Sequence, residues 1–308
     1  MTKETIAVIG ATGLVGRTLY DIVDKTRYEI AVVGRSVEKV RSVFPEAINH
    51  MDWDGFKDSE AKDYAVIINL AGSGVSEEKW TDAYKQVMID SRIGATEICV
   101  NLCAKNPNIH LINASAVSAY GFYTEPFIRF TEDDTDARKG TAFLQSLIDN
   151  WEAAALKAEA TGNSVVLLRT GVVFDATEGP LPQMMKPFNM FIGGKIGTGR
   201  QMMSWISVED EARAINFLLD NRRITGPVNC TSPGACTNAE FAKALGKALG
   251  KPSFFPTPAF IIKAAMGQMG DELIVKGQHV FPKKLLDAGF EFKHQTIKAY
   301  LDEAVAKG

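Results

Sequence analysis

The sequence predicts an α/β fold in which a doubly wound parallel sheet is followed by a smaller, mostly helical C-terminal lobe. Three observations carry that expectation. Short runs rich in Val, Ile and Leu alternate with longer amphipathic stretches through the first half of the chain, as in successive strand–helix–strand units whose sheet is covered on both faces. The turn Gly10-Ala-Thr-Gly13-Leu-Val-Gly16 lies where the first run ends and the first helix begins. Between residues 179 and 200 the alternation stops and Pro180, Pro182, Pro187, Gly193, Gly194, Gly197 and Gly199 punctuate the chain.

Taken in order, strands are expected at residues 5–9, 29–33, 64–70, 109–114 and 164–170. Helices are expected at 14–25, 77–104 and 141–160. Beyond the punctuated segment, 207–221 reads as a helix and 226–230 as a strand returning to the main sheet. Residues 238–249 read as a helix capped by Thr237, and the tail from Pro256 as short helices.

The composition narrows the function classes. With 308 residues, 46% of them hydrophobic and 23% charged, the chain can bury a sizeable core. A net charge of −3 supplies no basic face for a phosphate backbone, so no nucleic-acid partner is expected. No run of 18 apolar residues and no secretory leader is apparent, which points to the cytoplasm and to no membrane partner. Cys99, Cys103, Cys230 and Cys236 read as reduced, buried thiols. The histidines His50, His110, His279 and His294 are scattered, so no metal site is expected.

The glycine turn carries the first functional expectation. Gly10, Ala11, Thr12, Gly13, Leu14, Val15 and Gly16 would bring backbone N–H groups and a helix N-terminus against a pyrophosphate, in a Rossmann-type arrangement. At the end of the second strand stand Gly34, Arg35 and Ser36, where an acidic residue would accept the ribose 2′-hydroxyl of NAD. A guanidinium there suits a 2′-phosphate, so NADP(H) is expected ahead of NAD. The expected division is an NADP-binding domain over 1–178, with 201–231 packing back on it, and a substrate-side lobe over 179–200 and 232–308.

With these residues in place the chain resembles an atypical extended short-chain dehydrogenase/reductase. It is closer still to the NAD-dependent epimerase/dehydratase-like subfamily labelled sugar-nucleotide epimerase, which has its own C-terminal domain. The segments that carry the resemblance are Ile68-Asn-Leu-Ala-Gly72 with Trp80 and Ser91-Arg92, Leu168-Arg-Thr-Gly-Val-Val173, Gly193-Gly-Lys-Ile-Gly-Thr-Gly-Arg-Gln201 with Trp205-Ile206, and residues 277–290. The resemblance implies cofactor contacts at Leu70, Ala71, Gly72, Arg92 and Val173, and substrate contacts at Arg200, Gln201 and Trp205. The two long helices match those that form a four-helix homodimer interface in that superfamily, although the sequence leaves the oligomeric state open.

The superfamily's usual chemistry uses a Ser or Thr hydroxyl and a Tyr-x-x-x-Lys pair, in which the lysine lowers the tyrosine pKa for proton transfer. Asn113-Ala-Ser115-Ala-Val-Ser118-Ala-Tyr120-Gly121 resembles the family's serine turn, with Ser115 the first candidate and Ser118 the second. Aligning Glu152 with the family's helix glutamate puts Leu144 where tyrosine belongs and Ile148 where lysine belongs. Tyr120 or Tyr123 is the alternative acid, with Tyr123 better read as loop packing. Glu209 and Asp210 read as helix-capping carboxylates. Two functions stay open. One is an NADPH-dependent oxidoreductase or epimerase with an atypical site, acting on a small or nucleotide-sugar-like carbonyl or hydroxyl substrate. The other is an NADPH-binding sensor or regulator resembling a cell-division factor. A vestigial interaction module is disfavoured by the intact glycine loop.

Overall fold

The computed structural model describes residues 2–125, 128–134 and 141–307. Its elements run β1 (Glu4–Ile9), α1 (Leu14–Ile22), β2 (Tyr28–Val33), α2 (Val37–Val43), β3 (Asn49–Met51), α3 (Trp53–Lys57), β4 (Val66–Asn69), α4 (Asp82–Cys103), β5 (His110–Ala116), β6 (Arg129–Phe130) and α5 (Phe143–Leu156). They continue with β7 (Ser164–Thr170), β8 (Val172–Phe174), α6 (Pro180–Asn189), β9 (Met202–Met203), β10 (Trp205–Ser207), α7 (Val208–Asp220) and β11 (Gly226–Cys230). The last are β12 (Cys236–Thr237), α8 (Asn238–Leu249), α9 (Ala259–Gly270), β13 (His279–Val280), α10 (Lys283–Asp287) and α11 (Ile297–Lys307).

Seven parallel strands form the main sheet in the order β11-β7-β5-β4-β1-β2-β3. The order reverses at β1, which has β2 on one side and β4 on the other. The crevice beyond the C-terminal ends of these two strands is where a doubly wound sheet holds its ligand. Alternate residues feed two cores. Val8, Ile68 and Val166 pack with Leu19 of α1 and Ile215 of α7 on one face. Ala7, Ile67 and Val165 pack with Cys99 of α4 and Ala155 of α5 on the other. A third core joins Phe174, Trp205, Phe241 and Tyr300 beside the sheet.

Element ends differ from expectation for local reasons. α4 begins at Asp82 because the Thr81 hydroxyl accepts the N–H of Tyr84, which leaves 77–81 as loop. α1 stops at Ile22, and the Asp24 carboxylate turns the chain by accepting the N–H of Thr26. The short elements α2, β3, α3 and α6 were not anticipated. α6 forms within the proline-rich segment because Pro180 occupies its first turn, where the missing N–H costs nothing. The expected strand at 226–230 is β11, and α8 carries the Thr237 cap as a full capping box with Glu240.

Glu209 and Asp210 lie in the first turn of α7, where carboxylates suit the helix dipole, but the cap itself is another residue. Ser207 caps α7 by accepting the N–H of Asp210. The buried Asp210 carboxylate instead accepts the backbone N–H groups of Lys293 and His294 at 2.9 and 2.8 Å and pairs with Arg213. It ties the C-terminal tail to the sheet layer. All four cysteines are free and buried, and burial pushes the thiols of Cys103 and Cys236 up to about 12.

Candidate functional site

The turn from β1 into α1 has the shape of a phosphate cradle. Gly10 sits at φ +75°, and a Cβ there would lie 2.9 Å from the Leu70 carbonyl, so the turn packs directly on the end of β4. A Cβ on Gly16 would lie 2.5 Å from the Ala11 oxygen, which fixes how closely α1 approaches the strand. Gly13 offers α1 no capping side chain, and the first turn holds no carboxylate. The helix therefore presents a bare, positively polarised N-terminus, which fits a pyrophosphate. Ala11 is buried, while Thr12, Leu14 and Val15 are half-buried at its rim. Arg17 holds the outer side of the turn through the Thr12 carbonyl and Glu178, both at 2.7 Å.

Beside this turn lies the end of β2. Gly34 is buried against Val40. Ser36 is engaged as the N-cap of α2, accepting the N–H of Lys39 and donating to Glu38. Arg35 is exposed and, among the described residues, makes no hydrogen bond or ion pair. A guanidinium uncommitted at this strand end fits a ribose 2′-phosphate.

The turn after β4 is held by a buried polar network. The Asn69 amide donates to Asn113 Oδ1 at 2.7 Å and Thr96 Oγ1 at 3.0 Å, and its Oδ1 accepts the N–H of Ala71. Trp151 Nε1 donates to Thr96 Oγ1 at 2.8 Å. Four elements thus fix the Leu70-Ala71-Gly72 backbone. Arg92 packs against Gly72, where a Cβ would lie 3.0 Å from its Cζ. It is only 8% exposed. Its Nη1 donates to the Met88 carbonyl, and its Cζ lies 5.1 Å from the centre of the Trp151 ring. No carboxylate among the described residues pairs with it, and burial pulls its pKa down to about 10. A buried cation without an anion is costly, and the phosphate-bearing ligand that the cradle fits would relieve it. Val173 is half-buried against the same core as Leu70. A Cβ on Gly179 would contact both the Val173 carbonyl and Leu14, so the segment after β8 meets the start of α1.

At the end of β5 the side chains join into one chain of contacts. Ser115 Oγ donates to Glu152 Oε1 at 2.5 Å. Glu152 accepts two hydrogen bonds from Arg169, both at 2.8 Å. The Arg169 guanidinium lies 4.7 Å from the centre of the Tyr120 ring. Tyr120 is 0% exposed and its hydroxyl donates to Asn229 Oδ1 at 2.8 Å. Burial pushes its pKa up. The structure therefore makes Tyr120 a core residue and does not bring it to the crevice as an acid. Ser115 is committed to a carboxylate, whereas Ser118 makes no side-chain hydrogen bond among the described residues. Leu144 packs with Tyr84, Met88 and Leu147, and Ile148 with Ala119 and Trp151, so both side chains make apolar contacts.

Next to this region is a cavity of about 560 Å³ lined by Gly121, Tyr123, Gln145, Gln268, Glu272 and Lys276 among others. Four of these were not singled out in the sequence. Gln268, Glu272 and Lys276 come from the C-terminal tail, where no local motif marks them, and Gln145 adjoins Leu144 in the expected helix.

Two of the three expected substrate contacts, Trp205 and Gln201, are corrected. Trp205 is 0% exposed, stacks on Phe174 and donates its Nε1 to the Gly234 carbonyl, so it serves the third core. The buried Gln201 amide donates to the carbonyls of Ile196 and Ile274 and ties the tail to β9. Arg200 is exposed and paired with Glu125 at 2.7 Å.

Residues 6–230 match the NAD dependent epimerase/dehydratase family, and residues 257–304 match a domain of unknown function, DUF1731. An epimerase family protein of Mycobacterium leprae is 36% identical over 309 residues, covering 99% of this chain and 97% of its own. The epimerase family protein YfhF of Bacillus subtilis is 34% identical, covering 98% of each chain. The crystal structure of human epimerase family protein SDR39U1 (isoform 2) with NADPH superposes with a TM-score of 0.85 at 26% identity, covering 99% of this chain and all of that one. Glycine cradle, parallel sheet and C-terminal lobe together place this chain in the NAD-dependent epimerase/dehydratase family, as a member with the DUF1731 domain.

Proposed function

We propose that the protein binds NADPH along the crevice from the α1 N-terminus to the end of β5 and acts as an oxidoreductase on a small carbonyl or hydroxyl compound. The observation that carries the cofactor assignment is the pair of guanidiniums, Arg35 and Arg92, that flank a bare helix N-terminus and form no ion pair among the described residues. NADPH bound to the human relative supports the same reading. Bound NADPH would supply the hydride. The cavity near α5 is of a size that suits a small-molecule ligand. Ser118, whose hydroxyl is uncommitted, is the group we assign to hold the reacting oxygen, in place of Ser115.

Leu144 and Ile148 favour a second reading, an NADPH-binding regulator, because neither position carries a group that moves a proton. The two are separated by following reduced nicotinamide with a panel of aldehydes, ketones and nucleotide sugars. Turnover by the wild type, abolished in Ser118→Ala with NADPH binding retained, supports the enzyme. Tight NADPH binding with no consumption across the panel supports the regulator.

A further inference from the structure

The C-terminal lobe carries a surface unlike the rest of the chain. Every exposed large apolar side chain beyond Leu156 lies in two short segments: Met190, Phe191 and Ile192 after α6, and Phe254, Phe255, Phe260 and Ile261 around the start of α9. The segments run side by side. Phe255 donates its N–H to the Gly193 carbonyl, Thr257 donates to Lys195, and Ala259 lies against Gly197. Phe254 and Phe260 are 72% and 71% exposed. α9, with the sequence AFIIKAAMGQMG, buries only Met269 and Gly270. Apolar side chains this exposed and this close together mark a surface that meets another apolar phase or partner.

The charged residues within the segments that build this surface are all basic. Residues 179–208 and 241–270 contain Lys186, Lys195, Arg200, Lys243, Lys247, Lys251 and Lys263 and no Asp or Glu, in a chain whose net charge is −3. Arg200 and Lys263 are paired with Glu125 and Asp271. The other five lysines have no carboxylate partner among the described residues. Lys251 holds its ammonium 4.2 Å from the centre of the Phe191 ring, so the charge lies within the apolar patch. Lys243 and Lys247 are one turn apart on α8 and lead toward Lys251.

We propose that this face docks the protein peripherally on an anionic lipid surface, with Phe191, Phe254 and Phe260 entering the interface and the unpaired lysines meeting the headgroups. No helix among the described residues is long and apolar enough to cross a membrane, and α9, 12 residues long with a break at Gly267, lies along the interface rather than through it. A second copy of this chain fits less well, because its five unpaired lysines would face five others. The docking does not depend on the cofactor assignment.

The test is co-flotation of the full chain with vesicles of phosphatidylcholine alone and of phosphatidylcholine with phosphatidylglycerol. Binding is expected only to the anionic vesicles and is expected to weaken as salt screens the lysines. Phe254→Ser/Phe260→Ser should abolish it, and Lys247→Gln/Lys251→Gln should weaken it about fivefold per lysine. Both pairs are at the surface, and an unchanged thermal melt of each variant confirms that the fold is intact. No flotation with anionic vesicles overturns the proposal. So does a concentration-dependent dimer in sedimentation that disappears in Phe254→Ser/Phe260→Ser.

Discussion

Glu272 Oε2 accepts the backbone N–H of Leu144 at 3.0 Å, so a side chain of the C-terminal tail closes the start of α5. Its other oxygen accepts the N–H of Phe143 at 3.0 Å and a hydrogen bond from Gln268 at 2.7 Å. α5 has no cap of its own, because Ala142 stands at its N-cap. The DUF1731 segment therefore completes the fold of the family domain at the wall of the cavity.

Removing this carboxylate should destabilise the chain. Glu272→Ala leaves two N–H groups of α5 unsatisfied and should cost about 1–2 kcal/mol in urea denaturation. Glu272→Gln keeps an acceptor and should lose less. An unchanged midpoint in Glu272→Ala would show that α5 does not depend on the tail.

The Glu152–Arg169 pair is mostly buried, with side chains 11% and 14% exposed. Burial alone would lower the Arg169 pKa, but the Glu152 carboxylate outweighs it and holds the guanidinium above its usual range. Glu152→Ala strands that cation and should cost about 3–5 kcal/mol. Glu152→Leu combined with Arg169→Met should cost less than the single change, because no charge is left behind. Chemical denaturation of the three proteins checks the order.

Glu211 gives the fold a pH dependence. Its carboxyl is buried between α7 and the ends of β7 and β11, accepts the Thr170 hydroxyl at 2.7 Å, and has its other oxygen unpartnered among the described residues. Burial raises its pKa from 4.5 to about 7. The folded state then binds more protons than the unfolded state between those values, so this group's contribution to stability is greatest below pH ~4.5 and is lost as pH rises to ~7. In stability measured against pH, wild type minus Glu211→Gln should fall by on the order of 3 kcal/mol across that window. A flat difference would contradict the raised pKa.

The parallel sheet was legible because buried strands such as β4 and β7 are unbroken apolar runs, and α8 was legible to its ends because Thr237 and Glu240 write its cap into the sequence. The glycine cradle was legible because part of its constraint is local: Gly16 meets the Ala11 backbone of the same turn. The cavity wall was not, since Glu272 reaches α5 across more than a hundred residues. Trp205 and Tyr120 stood in motifs that resemble functional ones, yet both are used for packing, and only the third core and Asn229 reveal it.

The central claim is that NADPH occupies the cradle, with Arg35 reading its 2′-phosphate. Isothermal titration of wild type and Arg35→Ala with NADPH and NADH tests it most directly. The expected result is one NADPH per chain, bound about 10–100-fold more weakly by Arg35→Ala while NADH binding is unchanged. Equal loss for both cofactors, or no NADPH binding by the wild type, would contradict it.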